Sequence, residues 1–209
     1  MISKLNELDL SLIKLVVFDV DGTLYNQKQL RTTMLLKLLS YYLIRPLRWK
    51  ELEIISTFRK EREKLAFNET SNLQEMQFQV CADKLKIDVA RVKSVINHWI
   101  FSQPLPLLKQ YVYPEIYPFL QKLKEAGIPV AVWSDYAAEE KLSAMAIKAD
   151  LVVAATDPQI DKFKPDPAGL NYILKYFNCH PEYALMVGDR DELDGKSARA
   201  VGMKYFQVV

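Results

Sequence analysis

Four short apolar runs, at residues 15–18, 130–133, 151–154 and 184–187, constrain the fold of this chain more than any other feature. None of them alternates with polar residues. A run that is apolar at every position is buried on both faces, which is how strands of a parallel sheet read. A weaker fifth run, at 205–208, closes the series. Helical patterns lie between the later runs, at about 139–148, 167–177 and 193–201. Another carries Ile116, Phe119, Leu120 and Leu123 ahead of the second run and ends at Gly127, a C-terminal cap. Strand, helix, strand at this spacing predicts parallel strands with covering helices.

The interval between the first and second runs reads differently. From about residue 27 to 110 it is helical throughout. Leu30, Met34, Leu35, Leu38, Leu39 and Tyr42 share one helical face. Pro46 suits a helix start, with Leu47, Ile54, Ile55, Phe58 and Leu65 continuing the pattern. Ser71 and Gln74 have the spacing of a capping box, and Asp88 that of an N-cap. Pro104 and Pro106 break the last pattern. The predicted fold class is therefore α/β, a Rossmann-like three-layer parallel sheet core (1–26 and 111–209) with an inserted all-helical domain (27–110).

Charge divides along the same boundary. The insert carries 15 basic and 8 acidic residues, and the remainder 13 and 18. Solvated helix faces drift in charge, but a basic insert over an acidic core also attracts anions. The whole chain is nearly balanced at +2, so no global field points to nucleic acid. No apolar stretch approaches the roughly 20 residues that span a bilayer. Charges come too early in the opening residues for a secretory signal. Cys81 and Cys179 make no disulfide framework. A reduced, cytoplasmic setting is the expectation.

Ligands of open parallel sheets sit beyond the carboxyl ends of the strands. The residues following each run therefore matter most. After the first come Asp19, Val20, Asp21, Gly22 and Thr23; after the second, Ser134 and Asp135. Lys164, Pro165, Asp166 and Pro167 follow the third, past a loop. Gly188, Asp189, Arg190 and, further on, Asp194 follow the fourth. Carboxylates, one hydroxyl and one ammonium converge on one sheet edge. Taken singly, Asp189, Asp194 and Ser134 could be helix caps, and Lys164 a solvated surface residue.

In this order the motifs resemble those of the haloacid dehalogenase superfamily, in its phosphatase branch. The matches are Asp19 to Thr23, Ser134, Lys164 to Pro167, and Gly188 to Asp194, and the insert resembles the family's helical cap. The resemblance implies a Mg²⁺-dependent phosphatase acting on a small phosphate monoester. Asp19 would be the nucleophile, already ionised at neutral pH. Asp21 would protonate the leaving oxygen and then activate water. Ser134, Asp135 and Lys164 would hold the phosphoryl group with Asp19. Asp19, Asp189 and the Asp21 backbone carbonyl would hold Mg²⁺, an ion that favours hard oxygen ligands, with Asp194 acting through water or by orienting its neighbours.

Dehalogenases of the family usually lack the second Asp, so Asp21 speaks against them. A phosphomutase or phosphotransferase, or a non-catalytic phosphate-binding regulator, are the alternatives. The partner expected is a small phosphorylated metabolite, with no nucleic acid and no membrane; oligomeric state stays open. Arg190 is expected to pair with local acids. His98 beside Trp99 reads as packing. Tyr25, Tyr41, Tyr42, Arg45, Arg48 and Trp49 are candidates for the substrate side of the insert, each more readily structural.

Overall fold

The computed structural model describes residues 2–66 and 71–208. Five parallel strands form one sheet: β1 (Leu15–Phe18), β2 (Val130–Ser134), β3 (Leu151–Ala154), β4 (Ala184–Gly188) and β5 (Lys204–Gln207). Their order across the sheet is β3-β2-β1-β4-β5. Phe18 sits level with Val132 on one side and Val187 on the other. The first strand is thus central, and the winding direction reverses beside it. That reversal opens a crevice at the ends of β1 and β4.

The all-apolar runs are explained by two separate cores. Val16 and Phe18 pack with α6 (Ile116–Glu125), where the Phe18 and Phe119 rings meet edge to face 6.0 Å apart. Leu15 and Val17 face the other way, toward α8 (Ala168–Tyr176) and α9 (Lys196–Ala200). Trp133 lies fully buried on this second face. A Cβ on Gly169 would stand 2.1 Å from its Nε1, so only glycine lets α8 approach the indole. The short α7 (Glu139–Ala144) follows β2.

Between β1 and α6 the described residues are helical: α1 (Gln27–Leu43), α2 (Lys50–Leu65), α3 (Leu73–Leu85), α4 (Val89–Ile96) and α5 (Leu105–Tyr111). The chain enters and leaves this segment side by side. Asn26 N–H donates to the Tyr111 carbonyl (2.9 Å) and Tyr113 N–H to that of Leu24 (3.1 Å).

Several local details depart from the sequence reading. Ser71 does not cap α3. The cap position is Asn72, in a left-handed conformation, and the Asp161 carboxylate of the core accepts both the Asn72 and Leu73 N–H groups at 2.6 Å. A carboxylate at a helix N-terminus is a stronger acceptor than a hydroxyl, and this one also ties the insert to the core. Leu47 is 97% exposed, because Pro46–Arg48 forms a separate 3₁₀ turn outside α2. Leu35 and Leu39 are also exposed, although Leu30, Met34 and Tyr42 on the same helix are buried. The prolines do not end helix altogether: after a π-helical stretch, Asn97–Ser102, α5 restarts with Pro104 at its cap position, where a missing N–H costs little. Asp88 does cap α4, accepting from Ala90 N–H.

Candidate active site

The site grows from the end of β1. Asp19 N–H is held by the Val187 carbonyl (2.9 Å), so β1 and β4 fix the backbone that carries the carboxylate. One Asp19 oxygen receives Lys164 Nζ (2.7 Å), and the other the Thr23 hydroxyl (3.0 Å). Lys164 is only 1% exposed, and its ammonium also reaches Asp194 Oδ1 (2.8 Å). The second Asp194 oxygen accepts Arg190 N–H (3.1 Å), which folds the loop after β4 around it. Gly22 makes the turn that follows the two first-motif acids, at φ +102°. A Cβ there would also strike Asp189 Oδ2 at 2.3 Å.

Oxygens of Asp19, Asp189 and Asp194 lie within 4.8 Å of one another. One ammonium does not compensate three carboxylates. Burial, against the pull of Lys164 and with the push of Asp194, raises Asp19 to about 6. Burial together with Asp19 and Asp194 raises Asp189 to about 7. Asp189 Oδ1 is buried, and among the described residues it has no hydrogen-bond partner. A buried anionic oxygen without a donor, beside two further carboxylates, fits a small divalent cation with oxygen ligands. Burial disfavours the Lys164 ammonium, but Asp19, Asp194 and Asp135 outweigh it and hold this group above the ordinary lysine range.

Asp21 stands just before this turn. Both its oxygens receive Lys141 Nζ, each at 2.6 Å, and the Tyr25 hydroxyl donates to one of them. Burial works to raise this carboxyl, but Lys141, Tyr25 and Arg62 override it and keep it below the ordinary aspartate range.

These groups line a cleft of about 270 Å³ that includes Asp19, Asp21, Asp135, Lys164, Asp189 and Asp194. Ser134 is buried at the end of β2 and is not on the cleft wall; its hydroxyl accepts Tyr136 N–H at 3.2 Å. Asp135 is on the wall, but one of its oxygens accepts Lys164 N–H (3.1 Å), so the side chain holds the loop that carries the lysine. The Lys164–Pro165 peptide in that loop is cis. Arg190 pairs with Glu192 (3.0 Å) while lining the cleft. His98 packs edge-on against Trp99. Of the aromatic and basic candidates of the insert, Tyr25 alone comes near the acids. Tyr41, Tyr42, Arg45, Arg48 and Trp49 are on no wall of this cleft, and Tyr42, Arg48 and Arg91 converge instead on Glu51.

Lys141 escapes the sequence reading, because nothing in its spacing from Ser134 marks it. Arg31, Arg59 and Arg62 also line the cleft from the insert. Their signal was present in the excess of basic residues and in the three-residue spacing of Arg59 and Arg62 on one helix. Arg62 is itself buried. It donates to Gln77 (3.1 Å) and to the Asp135 carbonyl, and its guanidinium lies 3.6 Å from the Tyr136 ring centroid. It thus bolts α2 to the end of β2.

A family model for haloacid dehalogenase-like hydrolases matches residues 16–208. The pyrophosphatase PpaX of Bacillus mycoides is 28% identical over 199 residues, covering 89% of this chain and 80% of its own. A 2-haloacid dehalogenase from Pseudomonas syringae superposes with a TM-score of 0.64 at 20% identity, covering 93% of this chain and 86% of that one. A HAD phosphatase from Thermococcus onnurineus gives 0.60 at 23% identity, with the same coverage. At these identities the two solved structures speak to the fold. With the family model spanning nearly the whole chain, and with the sheet order and strand-end acids in place, the chain belongs to the haloacid dehalogenase-like hydrolases.

Proposed function

We propose that this hydrolase is a Mg²⁺-dependent phosphatase that cleaves a small phosphate monoester through an aspartyl-phosphate on Asp19, with residues 27–110 acting as a cap over the site. The observation that carries this reading is the pair Asp19 and Asp21 on one turn, the first held by Lys164 and the second free of the carboxylate cluster. A halide leaves as a weak base and needs no proton. An alkoxide does need one, and Asp21 is placed to supply it.

Asp19, Asp189 and the Asp21 carbonyl would hold Mg²⁺, with Asp194 behind them. Bound there, the ion offsets the charge of an anionic phosphoryl group approaching an anionic nucleophile. Lys164 offsets the charge of Asp19 and orients its carboxylate. Asp19 Oδ attacks phosphorus, the P–O ester bond breaks, and Asp21 gives its proton to the departing oxygen. Asp21 then takes a proton from water, whose oxygen displaces Asp19 and releases phosphate. Lys141 orients Asp21, and its ammonium disfavours the protonated state that the first step needs, so substrate binding must weaken this ion pair. Ser134 would donate to a phosphoryl oxygen; among the described residues its hydroxyl donates to no acceptor. The name of the Bacillus relatives makes pyrophosphate a second reading, favoured by Arg31 and Arg59, which have no acidic partner within 4 Å among the described residues.

The test is phosphate release from a panel of phosphate esters and pyrophosphate, with and without Mg²⁺. Metal-dependent release is expected, and its loss in Asp19→Asn with an unchanged urea midpoint. Release that persists in Asp19→Asn refutes the mechanism.

A further inference from the structure

Beside the catalytic cleft, between the helical insert and the core, lies a second chamber of about 150 Å³. Its insert side is mostly apolar, with Leu30, Met34 and Leu38 from α1, Ile55 from α2, Trp99 from the π-helical stretch and Leu108 from α5, while the charged groups of Asp21, Lys141, Arg31 and Arg59 also line it. The two cavities share Asp21, Gln27, Arg31, Arg59 and Tyr136. Asp21 is therefore the border between them. In the mechanism above, the ester oxygen receives its proton at Asp21, with phosphorus on the Asp19 side. The carbon attached to that oxygen then points into the apolar chamber. A second apolar feature continues this direction. Leu35 is a chamber wall, yet it is 54% exposed; Leu39 (54%) and Leu43 (77%) extend the same stripe along α1. Exposed apolar stripes of this kind mark binding surfaces.

We propose that the leaving group is an apolar alcohol, so that the substrate is the phosphate monoester of a hydrocarbon-chain alcohol. The phosphoryl group sits at Asp19, the ester oxygen at Asp21, and the chain passes through the insert and out along Leu35, Leu39 and Leu43. Pyrophosphate or a sugar phosphate would meet Arg31 and Arg59 but leave the apolar side of this chamber without a partner. The assignment rests on the phosphatase reading for the position of the ester oxygen.

The test separates the two by reading binding apart from turnover. n-Alkylphosphonates from methyl to octyl lack the scissile ester oxygen and bind without being cleaved. Their Kd, measured by calorimetry with Mg²⁺ and below micelle-forming concentrations, is expected to tighten roughly two- to fourfold per methylene until the chamber is filled. Leu38→Asp, on a half-buried wall, is expected to flatten this series, read as the ratio of methyl to octyl Kd within one protein. Leu35→Asp, on the exposed edge, gives the same readout should the first variant fold poorly. A Kd independent of chain length, or no binding of the longer members, overturns the apolar subsite whatever the enzyme hydrolyses. Tightening along the series with no phosphate release from the matching alkyl phosphates retains the subsite and refutes the phosphatase.

Discussion

Replacing Lys164 by Met isolates the electrostatics of the buried cluster. Met matches the lysine stem in length and keeps the space filled, so the change is mainly the loss of one charge. That charge lies 2.7 Å from Asp19 and 2.8 Å from Asp194, at 1% exposure. Breaking a buried pair costs about 3–5 kcal/mol, because the partner stays buried without compensation. Here three carboxylates would be left facing one another, which favours the upper end. The total stability of a domain is about 5–15 kcal/mol, so the loss is a large fraction of it. In a chain of this size it corresponds to a fall in Tm of roughly 6–20 °C. Urea and thermal unfolding in EDTA at pH 7.5 measure it. Lys164→Met/Asp194→Asn removes one anion along with the cation and should recover a good part of the loss. Mg²⁺ should stabilise Lys164→Met more than the native protein, since the cluster then carries one more uncompensated negative charge. A Lys164→Met protein within about 0.5 kcal/mol of native in EDTA would refute the charge argument, that being the size of an ordinary surface substitution.

Acidification tests the same cluster from the other side. Asp19 and Asp189 are raised to about 6 and about 7 in the folded protein, against about 3.9 when unfolded. Between these values the folded state binds more protons, so lowering the pH from 7.5 to 5 in EDTA should raise the contribution of these two groups to stability. Asp189→Asn should show a smaller gain than the native protein, and equal gains would contradict the assignment. Protons and metal compete for these oxygens, so Mg²⁺ affinity should fall over the same window, as calorimetry can show. Gly22→Ala would put a methyl 2.3 Å from Asp189 Oδ2 at a φ of +102°, and should weaken Mg²⁺ binding by roughly tenfold or more and lower turnover. Unchanged Mg²⁺ affinity in that variant would mean that Asp189 does not need its present position.

The sheet and most of the acid cluster were legible in the sequence because both are local. Unbroken apolar runs read as buried parallel strands, which holds even for β3 at the sheet edge, where Leu151 and Val152 are only half-buried, and the reactive groups follow the runs along the chain. Lys164 was legible through the prolines that flank Asp166. What escaped depends on how helices pack. Lys141 meets Asp21 only because α7 starts beside β1, and Arg59 and Arg62 face the cleft only because α2 lies across it. The apolar chamber needs four segments of the insert at once. The sequence shows Leu30, Met34, Leu35, Leu38 and Leu39 only as one helical face, and nothing in it separates the exposed Leu35 and Leu39 from the buried Leu30 and Met34. The capping of α3 escaped for the same reason: Asp161, a residue far along the chain, replaced the local Ser71.

The central position of β1 also sets the order in which this protein can assemble during synthesis. Its neighbours are β2, which begins at Val130, and β4, which begins at Ala184. The whole insert leaves the ribosome before either edge of β1 can pair. At about 5–20 residues per second, that is a wait of roughly five to twenty seconds before β2 arrives. During it, Leu15, Val16, Val17 and Phe18 have no sheet partner, while the insert has mostly local contacts and can collapse early. The strand that leads to Asp19 therefore waits longer for its first partner than any other strand of the sheet. A nascent chain stalled before Val130 exposes an unpaired hydrophobic strand, the kind of segment on which chaperones act.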